Sequence, residues 1–367
     1  MMRTYTVRLK VTKRQCVVLS ALLVDLCELY NAALQERRDA WKICQKRISY
    51  YDQQSELTQL RAIDPQSASF PAAIQRDPLR RVQRAFDGYF RRVKAKQTPG
   101  FPRFRSVDRY DSFAADSANF SVKGDSISIV KMGTFRFKTR CRLRGTPREL
   151  IVKRRGNRWV ATIACDLGYA PELKPVRSAV GIDLGVSSLV VLSDGTEIDN
   201  PKWTRLEQER LARANRDFSR KKRGSRNRIK SRERLRRTHQ RIQGLRKSYL
   251  HTVSEWLVSS FDLIAHEKLN IRNMVRSNLA KSILDSAWGE LLWQLRYKAE
   301  SAGVHLVAVD SRNTTQLCSG CGTKVPKTLA QRQHECQECG LSLSRDHNAA
   351  INVLRRGERR VEGVQNV

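Results

Sequence analysis

Val180-Gly181-Ile182-Asp183-Leu184-Gly185-Val186-Ser187-Ser188-Leu189-Val190-Val191-Leu192-Ser193-Asp194-Gly195 reads as two apolar runs either side of a small-residue turn, the pattern of a β-hairpin. Asp183 breaks the pattern, because it stands between Ile182 and Leu184 where a core residue belongs. A carboxylate buried without a partner is costly or takes up a proton, so this position calls for a metal or cationic group nearby. The plainer reading is an Asp at a strand end, closing a tight turn ahead of Gly185. The hairpin alone leaves both open.

Moving outward, Phe261-Asp262-Leu263-Ile264-Ala265-His266-Glu267-Lys268-Leu269 is a second apolar strand that ends in a carboxylate. A helix rich in Trp288, Leu291, Leu292, Trp293 and Leu295 follows over about 287–302, then a strand Val304–Val309 that runs into Asp310. Between hairpin and second strand, residues 202–257 are helical in period and very basic, broken by Arg220-Lys221-Lys222-Arg223-Gly224-Ser225-Arg226-Asn227-Arg228 into a helical hairpin or a kinked pair. A charge run is commonly a solvated face. A one-sign block this dense repels itself in a free helix, which favours neutralisation by phosphate, with Arg220, Lys221, Lys222 and Arg223 as candidates.

Toward the N-terminus, Tyr5, Val7, Leu9 and Val11 alternate with polar residues as a half-buried strand over residues 4–11. Helical spacing then runs from Lys13 to about Lys42 and again from Pro78 to Val93, the second stretch interleaved with Arg80, Arg81, Arg84, Arg91 and Arg92. Residues 50–77, punctuated by Pro65 and Pro71, read as loop and short helix. Gly100-Phe101-Pro102-Arg103-Phe104-Arg105 is either a loop packed by its own Phe side chains or a surface for stacking and phosphate contact. Short strands at Phe120–Val122, Ser126–Val130, Thr134–Phe137, Leu150–Val152 and Trp159–Ala164, with turns such as Arg155-Gly156-Asn157, suggest a small antiparallel β-barrel interrupted by a helical insert.

The chain of 367 residues carries 70 Lys+Arg against 36 Asp+Glu, a net charge of +34. Self-repulsion on this scale points to a polyanion, and nucleic acid is the usual one. A membrane-surface role is disfavoured, since no single basic amphipathic helix dominates. The longest apolar run, Cys16 to Cys27, is interrupted by Ser20 and Asp25 with no signal peptide pattern before it, so the expectation is a cytoplasmic protein without membrane partners. Of nine cysteines, Cys16, Cys27, Cys44, Cys141 and Cys165 are scattered among apolar neighbours and read as buried free thiols. The other four form Cys318-Ser319-Gly320-Cys321 and Cys336-Gln337-Glu338-Cys339, each followed by Gly and separated by fourteen residues. The two-residue spacer turns both thiolates of a pair to one tetrahedral ion, the signature of a four-cysteine structural zinc site rather than a redox pair or an iron–sulfur centre.

Beyond the second pair, Arg345-Asp346-His347-Asn348-Ala349-Ala350-Ile351-Asn352-Val353-Leu354 begins like a helix, with Asp346 in its first turn. Asp346 is either a carboxylate favoured there by the helix dipole or a third member of a set with Asp183 and Glu267, and His347 and Asn348 read as capping or satisfied polar residues. In a ribonuclease-H-like sheet the first and fourth strands are neighbours and the last helix crosses beside them, so the three would converge. Clustered carboxylates call for divalent ions, and hard oxygen ligands select magnesium or manganese for phosphodiester hydrolysis.

With these residues in view, Gly181-Ile182-Asp183-Leu184-Gly185, His266-Glu267-Lys268-Leu269-Asn270, the cysteine pairs, Arg345-Asp346-His347-Asn348-Ala349-Ala350 and the Gly100–Arg105 loop resemble the three RuvC motifs, zinc ribbon and loop of the TnpB family, in order over nearly the whole chain. The resemblance implies a multidomain α/β plus β-barrel protein. Its parts would be a wedge-like β-barrel (1–11 and 105–168), a helical recognition insert (12–104), a RuvC nuclease domain (169–313 and 342–356, with a basic helical hairpin at about 203–257), a zinc ribbon (314–341) and a flexible tail (357–367). It implies a transposon-encoded, RNA-guided DNA endonuclease that binds a guide RNA from the transposon end and double-stranded target DNA, as a monomer on one RNA. Asp183, Glu267 and Asp346 would be catalytic and hold Mg2+ or Mn2+; Cys318, Cys321, Cys336 and Cys339 would hold Zn2+. Arg80, Gln83, Arg84, Arg103 and Arg105 join the basic block as candidate nucleic-acid contacts. An RNA-guided repressor would share fold and charge but is expected to have lost an acid, and none is lost; a transposase is the other alternative.

Overall fold

The computed structural model describes residues 1–365 apart from 140, 141, 157, 277, 329 and 330. Cys141, and Asn157 of the expected turn, lie outside the described residues. The chain forms two compact units, Met1–Ala170 and Pro171–Val367.

The first unit is built on an antiparallel sheet of seven strands: β1 (Met2–Lys10), β2 (Ser112–Asp116), β3 (Phe120–Lys123), β4 (Ser126–Ile129), β5 (Gly133–Lys138), β6 (Thr146–Arg155) and β7 (Arg158–Asp166), in the order β2-β6-β7-β1-β5-β4-β3. Between β1 and β2 run α1 (Lys13–Cys44), α2 (Tyr50–Ile63), α3 (Pro65–Ala68) and α4 (Ala72–Lys94). Where loop and short helix were expected, residues 50–63 form one regular helix of 14 residues. Ser49 and Asp52 close a capping box at its start, with Ser49 N–H donating to the Asp52 carboxylate at 2.8 Å.

By length and composition α1 is apolar enough to cross a membrane. In the fold its Leu19, Leu22, Leu23, Leu26 and Leu34 are buried in one core with Val7, Ile74, Phe113 and Phe135, so the insert and the sheet are packed together rather than as separate bodies. The expected barrel is a curled half-barrel sheet, not closed between its edges β2 and β3. α4 covers the β2 edge: the Asp77 carboxylate accepts from Ala114 N–H at 3.1 Å and pairs with Arg81 at 2.7 Å. An edge so covered has no need to close. Cys27 and Cys165 are buried, but Cys16 and Cys44 are exposed, because they sit at the two ends of α1 outside the buried stripe.

The second unit carries β8 (Ala179–Leu184), β9 (Ser188–Leu192), β10 (Glu197–Asp199), β11 (Leu263–Glu267) and β12 (His305–Val309) in the order β10-β9-β8-β11-β12. β8 pairs antiparallel with β9, as the apolar hairpin requires, and parallel with β11, which is parallel to β12. Parallel neighbours need crossovers. One is α5 (Trp203–Leu206), α6 (Gln208–Arg220) and α7 (Arg226–Ser260); the other is α8 (Ile271–Met274), α9 (Ala280–Ser286) and α10 (Trp288–Ala302). A small hairpin, β13 (Gln333–Glu335) with β14 (Ser342–Ser344), leads into α11 (Arg345–Gln365). Residues 357–365, expected as a flexible tail, are the last turns of this helix.

Leu250, Leu257, Leu291 and Leu295 of α7 and α10 form one core with Val180, Ile182 and Ile264. The opposite face takes α11, whose Val353 packs with Ala265 and Val309. The approach is close enough that a Cβ at Gly181 would overlap the Ala350 carbonyl oxygen, and one at Gly357 would lie 2.5 Å from the Ala265 Cβ. Glycine at these positions is a packing requirement. Gly181→Ala should therefore lower stability by about 1–3 kcal/mol through overpacking, read as a shifted denaturant midpoint at unchanged slope; an unchanged midpoint would show that α11 can move aside freely.

Candidate active site

The parallel register pairs His266 with Ile182, so the next step along both strands brings Glu267 beside Asp183 at the carboxyl end of the sheet. Asp346 stands in the first turn of α11, on the face that lies against these strands. Asp183 and Glu267 are buried, at 9% and 8% exposure, and the chain places like charges about them. Burial first, then the charges of Glu267 and Asp346, push Asp183 up to about 8, against the pull of Arg345. Glu267 is also raised by burial, with Asp310 and Asp346 adding to the shift and Arg356 opposing it. The Thr314 hydroxyl donates to Glu267 Oε1 at 2.5 Å and favours the ionised form. Asp346 pairs with Arg345 Nε at 3.2 Å and lies 4.0 Å from Arg332. The three acids singled out in the sequence thus share one electrostatic neighbourhood.

Beside them, His347 Nε2 lies 3.1 Å from the Ser193 carbonyl oxygen, and His347 N–H donates to Ser344 Oγ. His266 faces away from Glu267 by strand alternation, with its Nδ1 on the Glu267 backbone carbonyl at 2.9 Å. A cleft of about 980 Å³ opens beside Glu267; its lining is mostly apolar, with Leu269, Leu292, Leu306 and Val307, and Lys174, Lys268, Arg296 and Arg360 stand among them. Thr314 was not foreseen. Its only local signal is a hydroxyl residue four positions ahead of Cys318.

The four cysteines of the two pairs come together with their Sγ atoms all within 4.8 Å of one another. Cys318 and Cys339 sulfurs are 3.6 Å apart, as are those of Cys321 and Cys336. Ligands at the usual zinc–sulfur length would be about 3.8 Å apart around a tetrahedron, so the set is metal-sized. Both pairs fold identically: Gly322 N–H donates to the Cys318 carbonyl and Gly340 N–H to that of Cys336, each at 2.9 Å, with both glycines at positive φ.

Of the candidate nucleic-acid contacts, Arg80 and Arg84 on α4 and Arg103 are exposed. Gln83 is engaged internally, accepting from the buried Arg37 at 2.8 Å and donating to Asp87 at 2.8 Å. The backbone of Arg105 exchanges hydrogen bonds with the Asn31 side chain at 2.8 Å, and its guanidinium lies over Tyr30, 5.3 Å from the ring centroid. The Gly100–Arg105 loop also packs Phe101 edge-on to Phe86 and Tyr89, so it is fixed by its aromatics and leaves its basic groups outward. Arg220, Lys222 and Arg223 are exposed at the turn between α6 and α7, while Lys221 pairs with Asp217 at 3.3 Å. Sequence reading missed a cleft of about 450 Å³ between these helices, lined by Arg210, Arg213, Arg234, Arg237 and Arg241.

Such a molecule is a multidomain α/β protein with a carboxylate centre, a thiolate centre and a cationic cleft. Over 97% of its length it aligns with 92% of the mini-RNA-guided endonuclease CRISPR-Cas_phi3 at a TM-score of 0.54 and 8% identity, a likeness of fold. Residues 162–278 match the family described as "Probable transposase", and residues 288–353 match the Cas12f1-like TNB domain. The chain is 33% identical over 365 residues to a Streptomyces pristinaespiralis relative named "Putative RNA-guided DNA endonuclease", covering 97% of this chain and 89% of the relative. With InsQ of Escherichia coli (strain K12), given the same name, identity is 29% over 349 residues, covering 90% and 86%. The chain belongs to the TnpB family of RNA-guided DNA endonucleases.

The raised Asp183 has a measurable consequence. Without added divalent ion, the folded chain keeps a proton on Asp183 that the unfolded chain releases above its ordinary value of 3.8, so stability falls as pH rises from about 4 to about 8. Asp183→Asn should flatten that part of the profile of thermal midpoint against pH; an equal slope in the variant would assign it to other groups.

Proposed function

We propose that this chain is an RNA-guided DNA endonuclease whose nuclease centre, of the ribonuclease-H-like RuvC type, is Asp183, Glu267 and Asp346. The observation that carries the reading is the burial of Asp183 and Glu267 side by side, each raised first by that burial and further by neighbouring acids that include Asp346, in a chain of net charge +34. A stable core would not gather these acids for packing. Their oxygen donors fit hard divalent ions, magnesium or manganese, which when bound supply activation of water and neutralisation of the leaving oxygen. Asp183, flanked by the other two, anchors the set from the inner strand of the sheet. Glu267 is held by Thr314, and Asp346 by Arg345.

The four thiolates fit zinc and would supply all four of its ligands, which makes the site structural. Guide RNA and target DNA are the polyanions the charge calls for. Arg80, Arg84, Arg103, the turn at Arg220–Arg223 and the arginine cleft between α6 and α7 are the surfaces offered to them. Gln83, Lys221 and Arg105 act there through the neighbours they already hold.

The test is cleavage of a guide-matched plasmid in magnesium or manganese by wild type and by the Asp183→Ala, Glu267→Ala and Asp346→Ala variants. Wild type should cut, and each variant should lose activity by orders of magnitude while guide and target binding persist; equal cutting by a variant removes that residue from the centre. Elemental analysis should give about one zinc per chain, and iron in its place would overturn the assignment of the thiolates.

A further inference from the structure

Asn348, Asn352, Arg356 and Arg360 recur every fourth residue along α11 and so form one stripe down the helix. Every member of the stripe donates to backbone carbonyls of one segment, the stretch from the end of β12 to the first cysteine pair. Asn348 Nδ2 donates to Leu317 O at 2.8 Å, and Asn352 Nδ2 to Thr314 O at 2.9 Å and Leu317 O at 2.7 Å. Arg356 donates to Asp310 O at 2.6 Å and Arg312 O at 2.9 Å, and Arg360 to Ala308 O at 2.9 Å. As the helix numbers rise, the segment numbers fall. β12 is an edge strand, and Arg360 satisfies one of its carbonyls, that of Ala308, while the other members hold carbonyls of the loop beyond it. Arg355 extends the ladder to Ser319 O, and Asn348 Oδ1 accepts from Ser319 N–H at 2.9 Å, inside the first knuckle.

Thr314 lies in the middle of this ladder and is 1% exposed. Its carbonyl is held by Asn352, and its hydroxyl lies between two acceptors, the Ser311 carbonyl at 3.0 Å and, closer, Glu267 Oε1 at 2.5 Å. A Glu side chain has three rotatable bonds, and a ligand set of this kind needs its oxygens held to about half an ångström. We propose that Thr314 is a positioning residue for Glu267, fixed in place by the α11 ladder, so that the cysteine site and the carboxylate centre are held by one helix. The inference rests on the reading of Glu267 as a ligand for a divalent ion.

The experiment uses the full chain with its copurified RNA and Mn2+ as the probe. Mn2+ binding is followed by the paramagnetic resonance of the free ion, and plasmid cleavage by its Mg2+ dependence, for wild type, Thr314→Val, Thr314→Ser and Glu267→Ala. Thr314→Val should bind Mn2+ about tenfold more weakly and need about tenfold more Mg2+ for half-maximal cleavage, at unchanged target binding, with Thr314→Ser restored toward wild type. Wild-type Mn2+ affinity in Thr314→Val, or a serine variant as impaired as the valine one, overturns the proposal. If Thr314→Val fails to bind target, Thr314→Ala takes its place against the same serine variant. Wild-type Mn2+ binding by Glu267→Ala would instead refute the carboxylate reading and leave the Thr314 bond a structural one.

Discussion

The contact on which the second unit depends is the close seat of α11 on β8 and β11, backbone against backbone at Gly181 and with only the Ala265 methyl group intervening at Gly357. Gly181 faces the Ala350 carbonyl and Gly357 faces Ala265. A helix seated this closely has little freedom to slide or rotate, because each ångström of retreat forfeits dispersion along the whole contact. Asp346 is one turn before Ala350, so the same contact brings a third carboxylate into the field of Asp183. The first glycine of the Gly-Ile-Asp-Leu-Gly motif thus serves the helix rather than a turn.

Electrostatics runs in opposite directions at the two kinds of site. Along α6 and α7, guanidinium groups crowd one another with a few acids as internal struts: Asp217 takes Ser231 at 2.9 Å, and Glu207 takes Arg241 at 2.9 Å. At the carboxyl end of the sheet, acids crowd acids under burial. Both arrangements are unfavourable in the isolated chain, one through crowded cations and the other through crowded acids.

Some of this was legible in the sequence because it is local. The hairpin follows from apolar alternation around a small-residue turn, and the cysteine pairs from a spacer that fixes how two thiolates face. The helix over residues 50–63 reads only as loop and short helix, because the prolines around it outweigh the capping box of Ser49 and Asp52. Burial was less legible: Cys16 and Cys44 have the apolar neighbours of core residues, yet lie where α1 has run past its partners.

By itself, then, the sequence determined which residues are out of place, Asp183 among aliphatics and four thiols at metal spacing, because those conflicts are written within a few positions. Only the tertiary structure decided what they meet. That Glu267 stands beside Asp183, that α4 covers the β2 edge of the seven-stranded sheet, and that a stripe on α11 fastens residues 308–319 are matters of long-range register and of which faces touch. No local pattern encodes these, because hydrogen bonds from a helix side chain to a distant carbonyl leave no periodicity in the segment that accepts them.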